Sequence, residues 1–292
     1  MKPSESLFVP IRGIRYHCRC WGDERAPKLF MLHGWMDVSA SFQFLVDALR
    51  GDWRVVAPDW RGFGLSEWSK HDSYWFPDYF ADLEHLLDHF QPDEPVTLIG
   101  HSMGGNVAAM YSGVRPSRVR NLVNLEGFGL ADSKPDRAPQ RYARWLEALA
   151  KESPTFRDYD SFDVLAARLR ETNPRLSAER AGFLARHWGT ARSDGRVALA
   201  SDPAHRLINP VLYRIEEAKA CWRNVTAGVL WVTGADTTMK EVLKLSEEDL
   251  AVQKACFARL LDHVIPECGH MLHHDQPERL AEIIEAFLEK EA

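Results

Sequence analysis

The stretch V-T-L-I-G-H-S-M-G-G-N-V, Val96 to Val107, decides the fold. Its apolar start, Val96 to Ile99, is long enough for one buried strand. Gly100 stops the run, and a helical pattern begins past Gly104 and Gly105. Inside it lies G-x-S-x-G: Gly100-His101-Ser102-Met103-Gly104. A serine at the tip of a strand-to-helix turn carries strained backbone angles, and bulky neighbours two residues to either side would collide. Glycines at those positions relieve the collision and leave the hydroxyl free. The helix behind it points its N-terminus at the place where negative charge develops on a reacting carbonyl. A plain turn with the same spacing needs neither the strand before it nor the helix after it. Both are present, so Ser102 is the expected nucleophile.

Outward from this turn, strand and helix patterns alternate. Leu7 to Val9 and Ile14 to Trp21 read as an antiparallel, half-exposed pair, the second with Ile14, Tyr16, Cys18 and Cys20 on one side. Leu29 to Leu32 and Val55 to Ala57 are apolar runs of the buried parallel kind, with a helix over Ser41 to Leu49 between them. A helix over Pro77 to Phe90 precedes the turn, and a strand over Val119 to Leu125 follows it. From 127 to 224 no strand pattern is visible. Helical spacing appears instead in Tyr142, Trp145, Leu146 and Leu149, in Phe162 to Leu169, in Ser177 to Trp188, and in Pro210 to Trp222 behind an Asn209 cap. Strands return at Val229 to Val232 and Val264 to Pro266, before a closing helix with Leu280, Ile283, Ile284 and Phe287 on one face. The expected architecture is α/β: a mostly parallel, eight-stranded sheet with helices on both faces. Residues 1–126 and 225–292 form its core, and a helical lid or cap, 127–224, enters after the sixth strand.

Composition bounds the function. The 292 residues suffice for one large α/β domain with an insertion, and 45% hydrophobic residues fill a core. A net charge of −6 argues against a nucleic-acid or anionic-membrane surface. The five cysteines are odd in number and scattered; Cys18 and Cys20 face the same way on one strand, a poor geometry for a mutual disulfide. Reduced thiols, no apolar signal core near Met1 and no membrane-length run together read as a cytoplasmic protein. Oligomeric state, monomer or dimer, stays open.

The chain resembles the α/β-hydrolases over nearly its whole length. The fragments that carry this are H-G-W at 33–35, D-W-R-G-F-G-L-S at 59–66, G-H-S-M-G-G at 100–105 and G-H-M-L-H-H-D-Q-P-E at 269–278. H-G-W-M-D-V-S-A-S-F at 33–42 is similar to the serine hydrolase-like (carboxylesterase) subgroup. The resemblance implies that the loops at the carboxyl ends of the strands make the site.

A serine nucleophile needs an imidazole to take and return its proton. Of twelve histidines, His270 follows Gly269 just past the last strand, where the resemblance places the base. His273 and His274 read as lid contact or surface, His101 as pointing away from the site, and His33 as shaping the oxyanion loop. The acid that fixes the imidazole tautomer has two candidates. The family's usual turn after the seventh strand resembles G-x-x-D; here Gly234-Ala235-Asp236-Thr237 puts the carboxylate one residue early. Haloalkane dehalogenases place the acid at the end of the sixth strand instead, where this chain has Glu126, a carboxylate closing an apolar strand. Glu126 is favoured, with Asp236 the alternative.

The resemblance implies that backbone N–H groups of Trp35 and Met103 form the oxyanion hole, and that Asp59, Arg61 and Ser66 buttress the site. Trp145, Trp188 and Phe128 are the expected pocket residues, which favours apolar or aromatic substrates of small to medium size. Arg141, Arg144, Arg168 and Arg170 read as a solvated face. The resulting expectation is a serine hydrolase that cleaves carboxylic esters through an acyl-enzyme, its partner a small-molecule ester. Carbon–carbon bond hydrolase, thioesterase and lactonase chemistry use the same triad. Dehalogenase and epoxide-hydrolase chemistry need a carboxylate nucleophile, since serine would leave a stable ether. A non-catalytic receptor on the same scaffold is the other class. No metal cluster, nucleotide-binding glycine pattern or cofactor is expected.

Overall fold

The computed structural model describes residues 1–69 and 74–291. Eight strands form one sheet: β1 (Ser4–Ile11), β2 (Ile14–Trp21), β3 (Lys28–Leu32), β4 (Arg54–Pro58), β5 (Val96–His101), β6 (Val119–Leu125), β9 (Gly228–Gly234) and β10 (Leu260–Ile265). Their order is β1-β2-β4-β3-β5-β6-β9-β10. Only β2 runs against its neighbours; every pairing from β4 to β10 is parallel. This is the expected α/β-hydrolase fold. The central strands β3, β5, β6 and β9 are apolar because both of their faces are covered.

Two cores flank the sheet. On one face lie α2 (Phe76–Phe90) and α3 (Met103–Val114), packed through Leu83, Leu87, Val107 and Tyr111. On the other, α1 (Gln43–Ala48) and the C-terminal α11 (Pro277–Glu291) contribute Leu45, Leu280, Ile284 and Phe287. In α11 these apolar residues recur at i, i+4 and i+7, the stripe that a sheet-covering helix needs.

Between β6 and β9 run α4 (Ala138–Leu149), α5 (Phe162–Thr172), α6 (Ala178–Trp188) and α7 (Ile215–Arg223). Leu165, Ala185 and Val197 make a small core of their own there. The last helix, α7, returns to the main core, where Ala218 and Trp222 pack in one cluster with Val107 and Tyr111 of α3. After β9 come α8 (Met239–Leu243) and α9 (Glu247–Lys254), and α10 (Leu272–Asp275) precedes α11.

Several details depart from the sequence reading, among them the last strand, which begins at Leu260 rather than Val264, and the first, which begins at Ser4 rather than Leu7. The segment 127–224 does contain strands: β7 (Gly189–Ala191) and β8 (Val197–Leu199) pair antiparallel, each too short to leave a periodic signal. The second strand is not half exposed. β2 lies between β1 and β4, and His17 on its other side is fully buried against Asp59. The helix expected from Pro210 begins at Ile215 instead. Asn209 accepts the Val211 N–H in a tight turn and donates to the Tyr74 carbonyl, so it ties the loop down rather than capping a helix. Asp132 accepts the N–H of Ile215 at 3.1 Å.

Candidate active site

Ser102 sits between β5 and α3 with φ 52° and ψ −114°, a conformation that costs a side-chain-bearing residue about 1–3 kcal/mol. The flanking glycines are required by contact. A Cβ on Gly100 would lie 2.4 Å from the Gly104 carbonyl oxygen, and one on Gly104 would lie 2.1 Å from that of Leu32.

His270 and Glu126 meet at this turn. Nδ1 of His270 lies 3.0 Å from Oε2 of Glu126, whose side chain is wholly buried. A carboxylate only accepts, so Nδ1 carries the proton and Nε2 keeps its lone pair. The carboxylate is held on both oxygens. Oε1 accepts the Gly234 N–H at 2.8 Å, and Oε2 accepts the Thr237 hydroxyl at 2.5 Å. Glu126 itself has φ 58°, a turn in the chain that aims its side chain back across the end of the sheet. The alternative acid, Asp236, faces outward and pairs with Arg175 at 2.7 Å, both about half exposed. Thr237 is the residue that sequence reasoning missed. It occupies the place where the family's usual turn has its acid, and in this chain it donates to the carboxylate that reaches His270.

Met103 opens α3 and lines the same cavity as Trp35 and Ser102. The loop before Trp35 passes close by: a Cβ on Gly34 would stand 3.2 Å from the Ser102 Cβ. His33 holds that loop. Its Nδ1 donates to the Gly34 carbonyl at 2.7 Å and its Nε2 accepts the Trp60 N–H at 2.9 Å. Burial pushes its pKa down, which suits the neutral tautomer that this pattern needs.

Behind the loop, Asp59 accepts from the Ser39 N–H at 2.7 Å, the Leu65 N–H at 2.9 Å and His17 Nδ1 at 2.7 Å. Burial alone would raise its pKa; the hydrogen bond and charge of His17 outweigh that and hold it at about 2. Arg61 grips Asp82 through Nε and Nη2 at 2.5 and 2.6 Å, and Tyr16 donates to the same carboxylate. Ser66 donates to the Asp59 carbonyl. Asp59 and Ser66 of the D-W-R-G-F-G-L-S fragment thus brace each other, while Arg61 ties the fragment to Asp82 and Tyr16.

His273 and His274 are not at a surface. Both are buried, packed against Phe42 and Phe44 respectively, because α10 turns them under the His270 loop. His101, expected to point away from the site, lies beside His270, their ring centroids 4.7 Å apart. Its Nε2 is 2.9 Å from the His270 carbonyl oxygen. Burial holds His101 and His274 well below the usual imidazole pKa.

Ser102, Glu126 and His270 open on a cavity of about 520 Å³. Its walls are mostly aromatic and aliphatic, with Trp35, Tyr74, Phe76, Phe128, Leu130 and Tyr213 among them. Of the expected pocket residues, Phe128 is there. Trp145, half-buried on α4, is not among the lining residues. Trp188 is turned to a second cavity and donates to the Ser41 hydroxyl. The helical spacing of Tyr142, Trp145, Leu146 and Leu149 marks a helix but not a buried face: no residue of α4 is buried, and Tyr142 and Leu146 are exposed. Arg141 departs from the solvated-face reading: it lines the cavity, and its Nε donates to the Asn209 carbonyl at 2.6 Å. No helix among the described residues is long and apolar enough to cross a membrane.

Comparison with known proteins agrees with this architecture. A serine hydrolase-like protein of Danio rerio is 27% identical over 100% of this chain and 91% of its own length. Serine hydrolase-like protein 2 of Homo sapiens is 25% identical over 97% of this chain and 93% of its own. Among solved structures, a thioesterase domain from the curacin biosynthetic pathway superposes with a TM-score of 0.86 at 25% identity, covering 97% of this chain and 99% of that one. The family model of the alpha/beta hydrolase fold matches residues 27–277, and the chain belongs to that family.

Proposed function

We propose that the chain is a serine hydrolase that cleaves small to medium carboxylic esters with apolar or aromatic groups. The observation that carries this reading is the 3.0 Å contact between Glu126 and His270 at the mouth of an apolar cavity that Ser102 also lines. In the proposed reaction Ser102 Oγ attacks the ester carbonyl and passes its proton to His270 Nε2. The carbonyl oxygen takes the negative charge and receives hydrogen bonds from the Trp35 and Met103 N–H groups, each worth roughly 10²-fold or more in rate. His270 then protonates the departing alcohol oxygen as the carbon–oxygen bond breaks, leaving Ser102 acylated. Water, deprotonated by the same imidazole, attacks the acyl carbon and releases the acid and the serine. Glu126 keeps Nδ1 protonated throughout and stabilises the imidazolium. Segment 127–224 acts as the cap, since Phe128, Leu130, Arg141 and Tyr213 supply one side of the cavity.

A thioesterase is the second reading, favoured by the similarity to the curacin thioesterase domain. Purified protein assayed with p-nitrophenyl acetate, butyrate and hexanoate and with acyl thioesters of matched chain length separates the two. The expected result is an acyl-enzyme burst with the oxygen esters, and fluorophosphonate labelling that disappears in Ser102→Ala. Turnover of thioesters alone would transfer the assignment. Absence of both burst and labelling would leave a non-catalytic receptor.

A further inference from the structure

We propose that Asp37, His101 and His273 form a binding site for a divalent transition-metal ion of the zinc class, beside the loop that carries His270. These residues lie far apart in sequence, and the fold brings them together. One ligand atom from each lies within 4.8 Å of the others. Asp37 Oδ2 and His273 Nε2 are 3.7 Å apart. Ligands about 2.0–2.2 Å from a tetrahedral ion stand roughly 3.3–3.6 Å from one another, so the Asp37–His273 pair is already near that spacing and the widest separation must close by up to about 1.3 Å.

Each of the three atoms is buried without a hydrogen-bond partner: Asp37 Oδ2, His273 Nε2 and His101 Nδ1. For His101 the reason is chemical. Its Nε2 contacts the His270 carbonyl, which can only accept, so the proton sits on Nε2 and Nδ1 presents a lone pair. A ring nitrogen that donates to a backbone carbonyl while the other stays free is the usual arrangement for a metal-bound imidazole. Asp37 is oriented in the same manner. Its Oδ1 accepts the Val38 N–H at 2.8 Å and the Ser41 hydroxyl, which turns Oδ2 toward the histidines. Gly34 leaves open the space beside His101 Nδ1, where a Cβ would come within 3.0 Å. Asp37 also lines the second cavity, about 410 Å³. Two imidazoles and one carboxylate select zinc, cobalt or a similar ion over magnesium or calcium, which prefer all-oxygen shells.

Two metal-free arrangements compete: trapped water, or an imidazolium on His273 paired with Asp37. Both predict no metal uptake. The test is titration of chelator-treated wild-type protein with Co²⁺, followed by its visible absorption bands, with Zn²⁺ as competitor. The expected result is one equivalent bound, displaced by Zn²⁺, with a higher melting temperature in the presence of either ion. Asp37→Asn and His273→Gln should each weaken binding at least tenfold. Because both positions are buried, either variant could fail to fold. Anomalous diffraction from Co²⁺-soaked wild-type crystals therefore gives the second measurement. A peak among Asp37, His101 and His273 supports the site. No uptake, or a peak only at exposed histidines such as His85 and His89 of α2, overturns it.

Discussion

Three hydrogen bonds fix the carboxylate of Glu126, from Gly234, Thr237 and His270, and each has a testable consequence. Glu126→Gln keeps the shape but offers an amide that can hold the wrong imidazole tautomer. Turnover of a p-nitrophenyl ester at saturation should fall roughly 10³–10⁴-fold with the fold intact. Asp236→Asn should stay within about threefold of wild type, because an exposed ion pair contributes little. Thr237→Val removes one hydrogen bond to a charged group, a loss of about 1.5 kcal/mol or more, and should slow turnover about tenfold. A dead, folded Asp236→Asn beside an active Glu126→Gln would reverse the assignment of the acid.

At the scale of elements, the G-x-S-x-G turn and the Gly269-His270 loop are readable from sequence because local sterics and chain order fix them. Which carboxylate meets His270 was not fully readable. Its identity depends on which of two turns, 108 residues apart for Glu126 and Gly234, reaches the imidazole, and no local pattern encodes that. The burial of His273 and His274 escaped for a related reason: α10 is four residues long, too short to show a face. The D-W-R-G-F-G-L-S loop was legible as a buttress, and its energetics follow from Asp59. The folded-state pKa of about 2 lies below the unfolded value near 3.8. The group therefore contributes stability above about pH 4 and loses it as pH falls toward 2, a difference on the order of 2–3 kcal/mol. Asp59→Asn should lower the melting temperature at pH 7 by several degrees and flatten its fall between pH 4 and pH 2.5. A variant with the acid sensitivity of wild type would show that other carboxylates set the transition.

For the whole molecule, the parallel sheet carries Ser102, Glu126 and His270, and the segment entering after β6 supplies much of the cavity wall. The mostly parallel, eight-stranded sheet was legible because its buried central strands read as continuous apolar runs. The cavity lining was not, because it depends on how α4 to α7 and their loops settle on the sheet. Leu130, 39% exposed, lines the cavity on that segment. Leu130→Trp should narrow the acyl site. We expect kcat/KM for p-nitrophenyl hexanoate to fall about tenfold while the acetate ester changes little, the scale on which apolar pockets discriminate chain length. Equal losses on both esters would mean that Leu130 faces the alcohol side.

The backbone strain at Ser102 has a use outside catalysis. At φ 52° and ψ −114° glycine is at ease where serine is not. Ser102→Gly should therefore abolish hydrolysis and still raise the unfolding free energy by about 1 kcal/mol, visible as a melting temperature a few degrees above wild type. With the cavity walls unchanged, such a variant would become a durable capture reagent. Immobilised on a resin, it could fish the uncleaved native ligand out of a metabolite extract for mass spectrometry.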